Sequence, residues 1–424
     1  MRLLILAIAA LFALSACYTK THPPGDAPTG VQADPGDGLV VVHWDTLPDL
    51  TYWIFYEPGG TVAVDTPESI AIRGAVSPRL VVNLVNGIDY AFVMNATQDG
   101  SAAGPNSVPV VQRPRLAGFT GSWTTGIPLP APPQNLKSIA FSGARFVAVG
   151  DAATIFAGDF NYPSTNPNPE GVTAWVPATL PAGFVADLSS VIYNGTFVAL
   201  GTDGSIISSL DGLTWTANSR ISATGVSGMN GLSFGFAAGV ATYIAVGNGG
   251  AIFATTNLAT SWTPLTSGTT SDLTSVSVLN TSFVVTGSGG TLLRSRDGSS
   301  VDPPLVSNTT STLRAAVFNP NPLLTNQYIA VGDAGTVVAS NDGATWNQIT
   351  ITPPLTQVLR SVTIGGATAT RFLAVGQGGA VAYSDNGLTW LSASAGPSNN
   401  LASVLFPRGL YLAVGDAGAN AVSR

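Results

Sequence analysis

Over its last three-quarters the chain alternates short apolar runs with polar stretches punctuated by glycine. One apolar phrase recurs seven times: an aromatic residue, three mostly aliphatic residues, then glycine. It begins at Phe146, Phe197, Tyr243, Phe283, Tyr328, Phe372 and Tyr411, so the spacings are 51, 46, 40, 45, 44 and 39 residues. The phrase is too short for a helix and is flanked by turn residues, which makes it a buried strand. A period near 40–45 residues is that of stacked or radially arranged small β-sheets.

Each repeat divides into four predicted strands. The first is Leu-x-Ser-Val-like and starts at Leu136, Leu188, Leu273, Leu313, Leu359 and Leu401; in the third repeat it is read as Leu232-Ser-Phe-Gly-Phe236. The second is the recurring phrase. The third follows a Gly-x-x-Gly turn, as in Gly332-Asp-Ala-Gly335, where glycine supplies the positive φ that short hairpins need. The fourth carries a Trp, as in Thr345-Trp346-Asn-Gln-Ile349. The seventh repeat reaches Arg424 without a Trp strand, while Gly121-Ser-Trp123-Thr-Thr-Gly126 precedes the first repeat. Four-stranded units repeated radially make a β-propeller. Segment 119–424 is therefore expected to form seven blades, with the strand at Trp123 completing the last blade and closing the ring.

Segment 28–111 has a different rhythm. Leu39-Val-Val-Val-His-Trp44, Tyr52-Trp-Ile-Phe-Tyr56, Leu80-Val-Val-Asn-Leu84 and Tyr90-Ala-Phe-Val-Met-Asn-Ala96 read as strands, the last with Tyr90, Phe92, Met94 and Ala96 on one face. Pro28, Trp44, the Leu84/Tyr90 spacing and the Gly100–Ser107 hairpin resemble a fibronectin type III domain. The resemblance implies a β-sandwich with a tyrosine corner, serving spacing or adhesion. Residues 112–118 read as a linker and 18–27 as a polar, proline-containing tether.

At the N-terminus, Met1-Arg2 precedes an apolar run, Leu3 to Leu14, of signal-peptide length and too short to span a bilayer. It ends in Leu14-Ser15-Ala16-Cys17, which resembles a bacterial lipobox. The resemblance implies lipid attachment at Cys17, the single cysteine of the chain, and a membrane-anchored protein of the cell envelope, at the outer membrane or cell surface. The alternative is an ordinary secretory signal that ends in Cys. Without a second cysteine no disulfide can form.

The 424 residues are 45% hydrophobic and only 9% charged, against about 25% charged in ordinary domains, so hydroxyls, amides and backbone cover the surface. The 48 Gly and 29 Pro interrupt every candidate helix, leaving an all-β chain. A net charge of −7 and two Lys argue against nucleic-acid binding.

Ser209-Leu-Asp211-Gly-Leu-Thr-Trp215, Ser340-Asn-Asp342-Gly-Ala-Thr-Trp346 and Ser384-Asp-Asn386-Gly-Leu-Thr-Trp390 resemble Asp-box (BNR-type) hairpins. Ser295-Arg-Asp297-Gly298 lacks the Trp. In such boxes Asp accepts turn amides and Trp packs between blades, which are structural roles. Over 119–424 the Leu-Arg-Ser-Val strand, Val-Gly-Asp-x-Gly turn and Asp-Gly-x-Thr-Trp hairpin together resemble the photosystem II assembly-factor type of propeller. The resemblance implies a scaffold that binds a protein partner.

Candidate chemistry sits at two variable positions. The second residue of the first strand and the first residue of the following turn share one end of a propeller. Ionic choices there cluster in repeats 5, 6, 7 and 1: Arg314 with Asp333, Arg360, Asp416, and Lys137 with Asp151. This sector is the candidate binding face for a protein or cell-surface glycan, or else a set of intrablade salt bridges of about 0–1 kcal/mol each. A glycosidase needs two apposed carboxylates; Asp151 and Asp416 in adjacent blades are the available pair, since the repeats contain a single Glu, Glu170. No metal site or cofactor is expected, because His22 and His43 both precede the repeats and the Gly-rich turns join strand to strand. The reading is a monomeric, non-catalytic envelope lipoprotein that binds a partner through its propeller face; a glycan-cleaving enzyme using paired aspartates is the alternative.

Overall fold

The computed structural model describes residues 24–424 apart from 37, 86–87, 99–102, 115–122, 131–133, 162–170, 223–227, 322–323, 325, 366–370, 395–397, 408–409 and 424. Cys17, most of the tether and Glu170 lie outside the described residues. The chain divides into two compact units, Met1–Leu116 and Ala117–Arg424. Among the described residues there is no α-helix; the helical segments are five single-turn 3-10 pieces between strands.

In the first unit, Gln32–Gly36, Leu39–His43 and Arg79–Val82 form a three-stranded sheet. Ile70–Ala75, Thr51–Pro58, Tyr90–Thr97 and Val110–Gln112 form a four-stranded one. Alternate residues of both sheets meet in one core: Val40, Val42 and Trp44 from the first, Ile54, Tyr56, Phe92 and Met94 from the second. The Tyr90 hydroxyl accepts a hydrogen bond from the Val85 N–H at 3.0 Å.

The second unit contains seven sheets among its described residues, each antiparallel at its heart and numbered here in chain order. Their inner strands are Leu136–Phe141, Leu188–Tyr193, Met229–Ala237, Leu273–Leu279, Leu313–Phe318, Leu359–Gly365 and Leu401–Leu405. Each pairs with the strand carrying the recurring phrase. Consecutive inner strands lie side by side, and that of sheet 7 lies beside that of sheet 1. In sheet 7 the outer strand is Trp123–Thr125, paired antiparallel with Ala421–Ser423.

Three sheets depart from the four-strand expectation. In sheet 1 the third strand, Thr154–Asn161, pairs with two short segments, Gly171–Val172 and Val176–Pro177. Sheet 4 has three strands: the segment after Leu292–Ser295 returns two backbone hydrogen bonds to it, from the Asp302 and Leu305 N–H groups to the Arg294 and Leu292 carbonyls. Pro303 and Pro304 between them have no N–H to extend the ladder. Sheet 6 gains a fifth strand, Ile351–Thr352, parallel to Trp390–Leu391.

The invariant glycine of the phrase answers to close approach. Gly332 has an extended φ of −167° that any residue adopts, yet a Cβ there would lie 2.0 Å from the Thr312 carbonyl oxygen. That proximity lets the next residue, Asp333, donate its N–H to the same carbonyl at 2.9 Å. The same bond recurs in all seven sheets, from Asp151, Thr202, Asn248, Ser288, Gln377 and Asp416 to the residue preceding the inner strand.

Candidate functional site

The axial end of the inner strands is built by a repeated bulge. The first residue of each strand, Leu or Met, is fully buried and pairs with the phrase glycine. The register then slips by one residue, so the second residue has no cross-strand partner in any of the seven sheets. A bulge of this kind re-aims a side chain out of the sheet. The seven released residues are Lys137, Ser189, Asn230, Thr274, Arg314, Arg360 and Ala402, and all line one cavity of about 600 Å³.

This corrects one expectation. In sheet 3 the strand begins at Met229, not Leu232, and the residue facing the cavity is Asn230 in place of Ser233. Met229-x-x-Leu232 repeats the spacing of Leu188-x-x-Val191, but a longer hairpin separates Met229 from Tyr243.

The six ionic residues singled out in the sequence fall into three pairs at this end. Arg314 grips Asp333 with two hydrogen bonds, the Nη2–Oδ2 contact being 3.1 Å. Lys137 lies 3.4 Å from Asp151 within sheet 1. Arg360 of sheet 6 reaches across to Asp416 of sheet 7 at 3.7 Å and makes no hydrogen bond among the described residues. The Arg360 side chain is 32% exposed and that of Arg314 38%, so both guanidinia remain accessible from the cavity. Pairs this exposed are worth about 0–1 kcal/mol each. A ligand anion can therefore compete for them at small cost. The two carboxylates considered for hydrolysis are both engaged: Asn135 donates to Asp151 at 2.9 Å and Asn400 to Asp416 at 2.8 Å, in addition to their cations.

Four polar residues at the rim had no assigned role in the sequence reading. Asn135, Asp187, Asp272 and Asn400 each precede an inner strand. Each accepts the N–H of the preceding sheet's turn, from Ala417, Ala152, Gly249 and Gly378 respectively, at 2.7–2.9 Å. They latch neighbouring sheets together. Asp187 and Asp272 also line the cavity. The signal was the recurrence of Asn or Asp immediately before Leu.

The Asp-box residues lie elsewhere, none of them lining the cavity. Asp211 Oδ1 accepts the Leu213 and Thr214 N–H groups at 2.8 and 2.9 Å, and these two bonds hold its carboxyl below the usual carboxylate range. Asp342 does the same with Ala344 and Thr345, and is lowered for the same reason. Asn386 makes the equivalent bonds to Leu388 and Thr389, both 2.8 Å. Trp215, Trp346 and Trp390 are buried, each packed against the preceding sheet.

No family model matches this chain, and no curated protein matches it. Solved structures do. A structure described as YCF48 bound to D1 peptide has a TM-score of 0.55 at 17% identity, covering 71% of this chain and 94% of its own. YCF48 from Cyanidioschyzon merolae gives 0.52 at 16%, covering 71% and 98%. The WD40 β-propeller domain of Doa1 gives 0.53 at 11%, covering 71% and 96%. At such identities the likeness is one of fold, and the fold is an all-β propeller.

Proposed function

We propose that the chain is a non-catalytic envelope scaffold whose seven-bladed propeller binds a peptide segment of a protein partner at its axial cavity. The observation that carries this reading is the bulge repeated seven times, which strips one residue per sheet of its ladder partner and directs it into the same cavity. Lys137, Arg314 and Arg360 offer cations to an acidic side chain or a terminal carboxylate, while Asn230, Thr274 and Ser189 offer hydrogen bonds to peptide groups. Among the described residues no aromatic side chain lines the cavity, whereas a sugar ring is ordinarily held against one, so a peptide fits better than a glycan. The propeller in the YCF48 structure described as bound to D1 peptide supports the same class of partner.

In this reading the strand at Trp123 completes the seventh blade and closes the ring. The first unit is a fibronectin type III spacer, supported by its two-sheet core and the Tyr90–Val85 bond. The lipobox-like Leu14–Cys17 supports lipid attachment at Cys17 and residence at the outer membrane or cell surface. The protein acts as a monomer with respect to this face.

A photo-crosslinking amino acid at Thr202, which lines the cavity, tests the site. Thr216, exposed on an outer strand, is the control position. Adducts to one envelope protein from position 202 and none from 216 are expected. Equal labelling from both positions, or none from 202, contradicts the assignment.

A further inference from the structure

Six of the seven sheets bury a Trp from their outermost segment against the sheet before: Trp175, Trp215, Trp262, Trp346, Trp390 and Trp123 are all at most 8% exposed. Trp215 shares its cluster with Val147, Val149 and Ala157 of sheet 1, and Trp390 with Ile329, Val331 and Ala339 of sheet 5. In both cases the cluster includes the small residue of the preceding sheet's third strand. Sheet 4 breaks the series. Its box runs Asp297-Gly-Ser-Ser-Val301, which puts Val301 where Trp215 and Trp346 stand in theirs.

Beside Val301 the junction between sheets 3 and 4 is open. A cleft of about 600 Å³ lies between sheets 3 and 4, with Val240, Ala254 and Leu265 on one side and the Asp297–Ser299 turn on the other. Ala254 pairs with Ile244 in the same register as Ala157 with Val147 and Ala339 with Ile329, so it marks the same floor. Val301 packs against the core shared by sheets 3 and 4 without occupying this volume. In the complete boxes the indole N–H donates to the box glycine carbonyl, Trp215 to Gly212 at 3.1 Å and Trp346 to Gly343 at 3.3 Å. The corresponding glycine here is Gly298. The remaining wall is uncharged and rich in hydroxyls, including Thr242, Thr255 and Thr263. The Asp297 carboxylate is already taken up by Ser299 and Ser300.

We propose that this cleft is a second docking site, on the flank of the molecule, which receives an aromatic side chain, Trp foremost, from a segment of a protein partner. The occupant is argued from the molecule itself: six neighbouring junctions show what fits between two such sheets. A neutral aromatic ring suits walls that are apolar or hydroxylic, and an inserted ring removes about 150–250 Å² from water.

The test uses the full chain and N-acetyl-5-fluorotryptophanamide, followed by the ¹⁹F line width of the probe, with N-acetyl-leucinamide as competitor. Saturable broadening by the wild type is expected, unaffected by the leucine amide. Val301→Trp fills the slot from within, so it should weaken binding at least tenfold and raise the melting temperature. Val240→Asp places a charge on the apolar wall and should weaken binding as well, which keeps the test decisive if Val301→Trp folds poorly. Arg314→Ala/Arg360→Ala, at the axial cavity, should leave the probe affinity unchanged, separating this site from the first. No saturable binding to the wild type, or undiminished binding to both cleft variants, would overturn the proposal.

Discussion

At the head of each box hairpin one side-chain oxygen gathers two backbone N–H groups, and it does so equally well from aspartate or asparagine. Asn386 holds Leu388 and Thr389 at 2.8 Å, and Asp342 holds Ala344 and Thr345 at 2.8 and 2.9 Å. The difference is that the aspartates titrate. The N–H groups of Ser299 and Ser300 and the Ser300 hydroxyl bring Asp297 down to about 2 from 3.8. A carboxylate whose folded pKa is depressed adds stability that is complete above its unfolded pKa and is lost as pH falls through the folded one. The Asp297 contribution is therefore present above about pH 4 and disappears towards pH 2. Asp297→Asn should leave the melting temperature at pH 7 nearly unchanged and flatten its decline between pH 4 and 2; an unaltered decline would show that the carboxylate is not engaged. The box aspartates are legible in sequence because the hairpin is local, six or seven residues whose chemistry is contained within them. The rim residues Asp187 and Asp272 are harder to read, because the amides they accept come from a different repeat, 35 and 23 residues away.

Among elements, the three-residue strand Trp123–Thr125 has the most distant partner of the described strands, bonding to Ala421–Ser423. Trp123 joins a core with Leu373, Val375 and Val381 of sheet 6 and Leu401 and Tyr411 of sheet 7. Trp123→Ala should cost about 3–5 kcal/mol, the range for emptying a buried aromatic site. Chemical denaturation would measure it, and a loss below about 1 kcal/mol would mean that the strand does not hold the unit together. The repeated strands were readable because a continuously buried apolar run ending in glycine recurs every 39–51 residues. The inner strand of sheet 3 was misplaced by three residues. Two apolar residues, Met229 and Leu232, both satisfy the pattern, and only the bulge register selects Met229. The short fourth segment of sheet 4 was foreshadowed by the missing Trp, but the cleft it leaves depends on how sheet 3 faces it, which no linear pattern encodes.

At the scale of the whole molecule, a chain with 9% charged residues spends a disproportionate share of them at one end of its propeller. The inner strands place Lys137, Arg314 and Arg360 in a common cavity with Asp151, Asp187 and Asp272, although these residues span more than two hundred positions of sequence. The pairs Arg314–Asp333 and Arg360–Asp416 are exposed enough that their loss should lower stability by no more than about 1 kcal/mol each. Removing the arginines therefore separates binding from folding. The most direct measurement is quantitative capture of envelope proteins by the wild-type chain and by Arg314→Ala/Arg360→Ala, with melting curves recorded for both. A partner retained by the wild type and reduced at least tenfold by the double variant, at a nearly unchanged melting temperature, is the predicted result. Equal capture by the two proteins would contradict the account and return the arginines to a purely structural role.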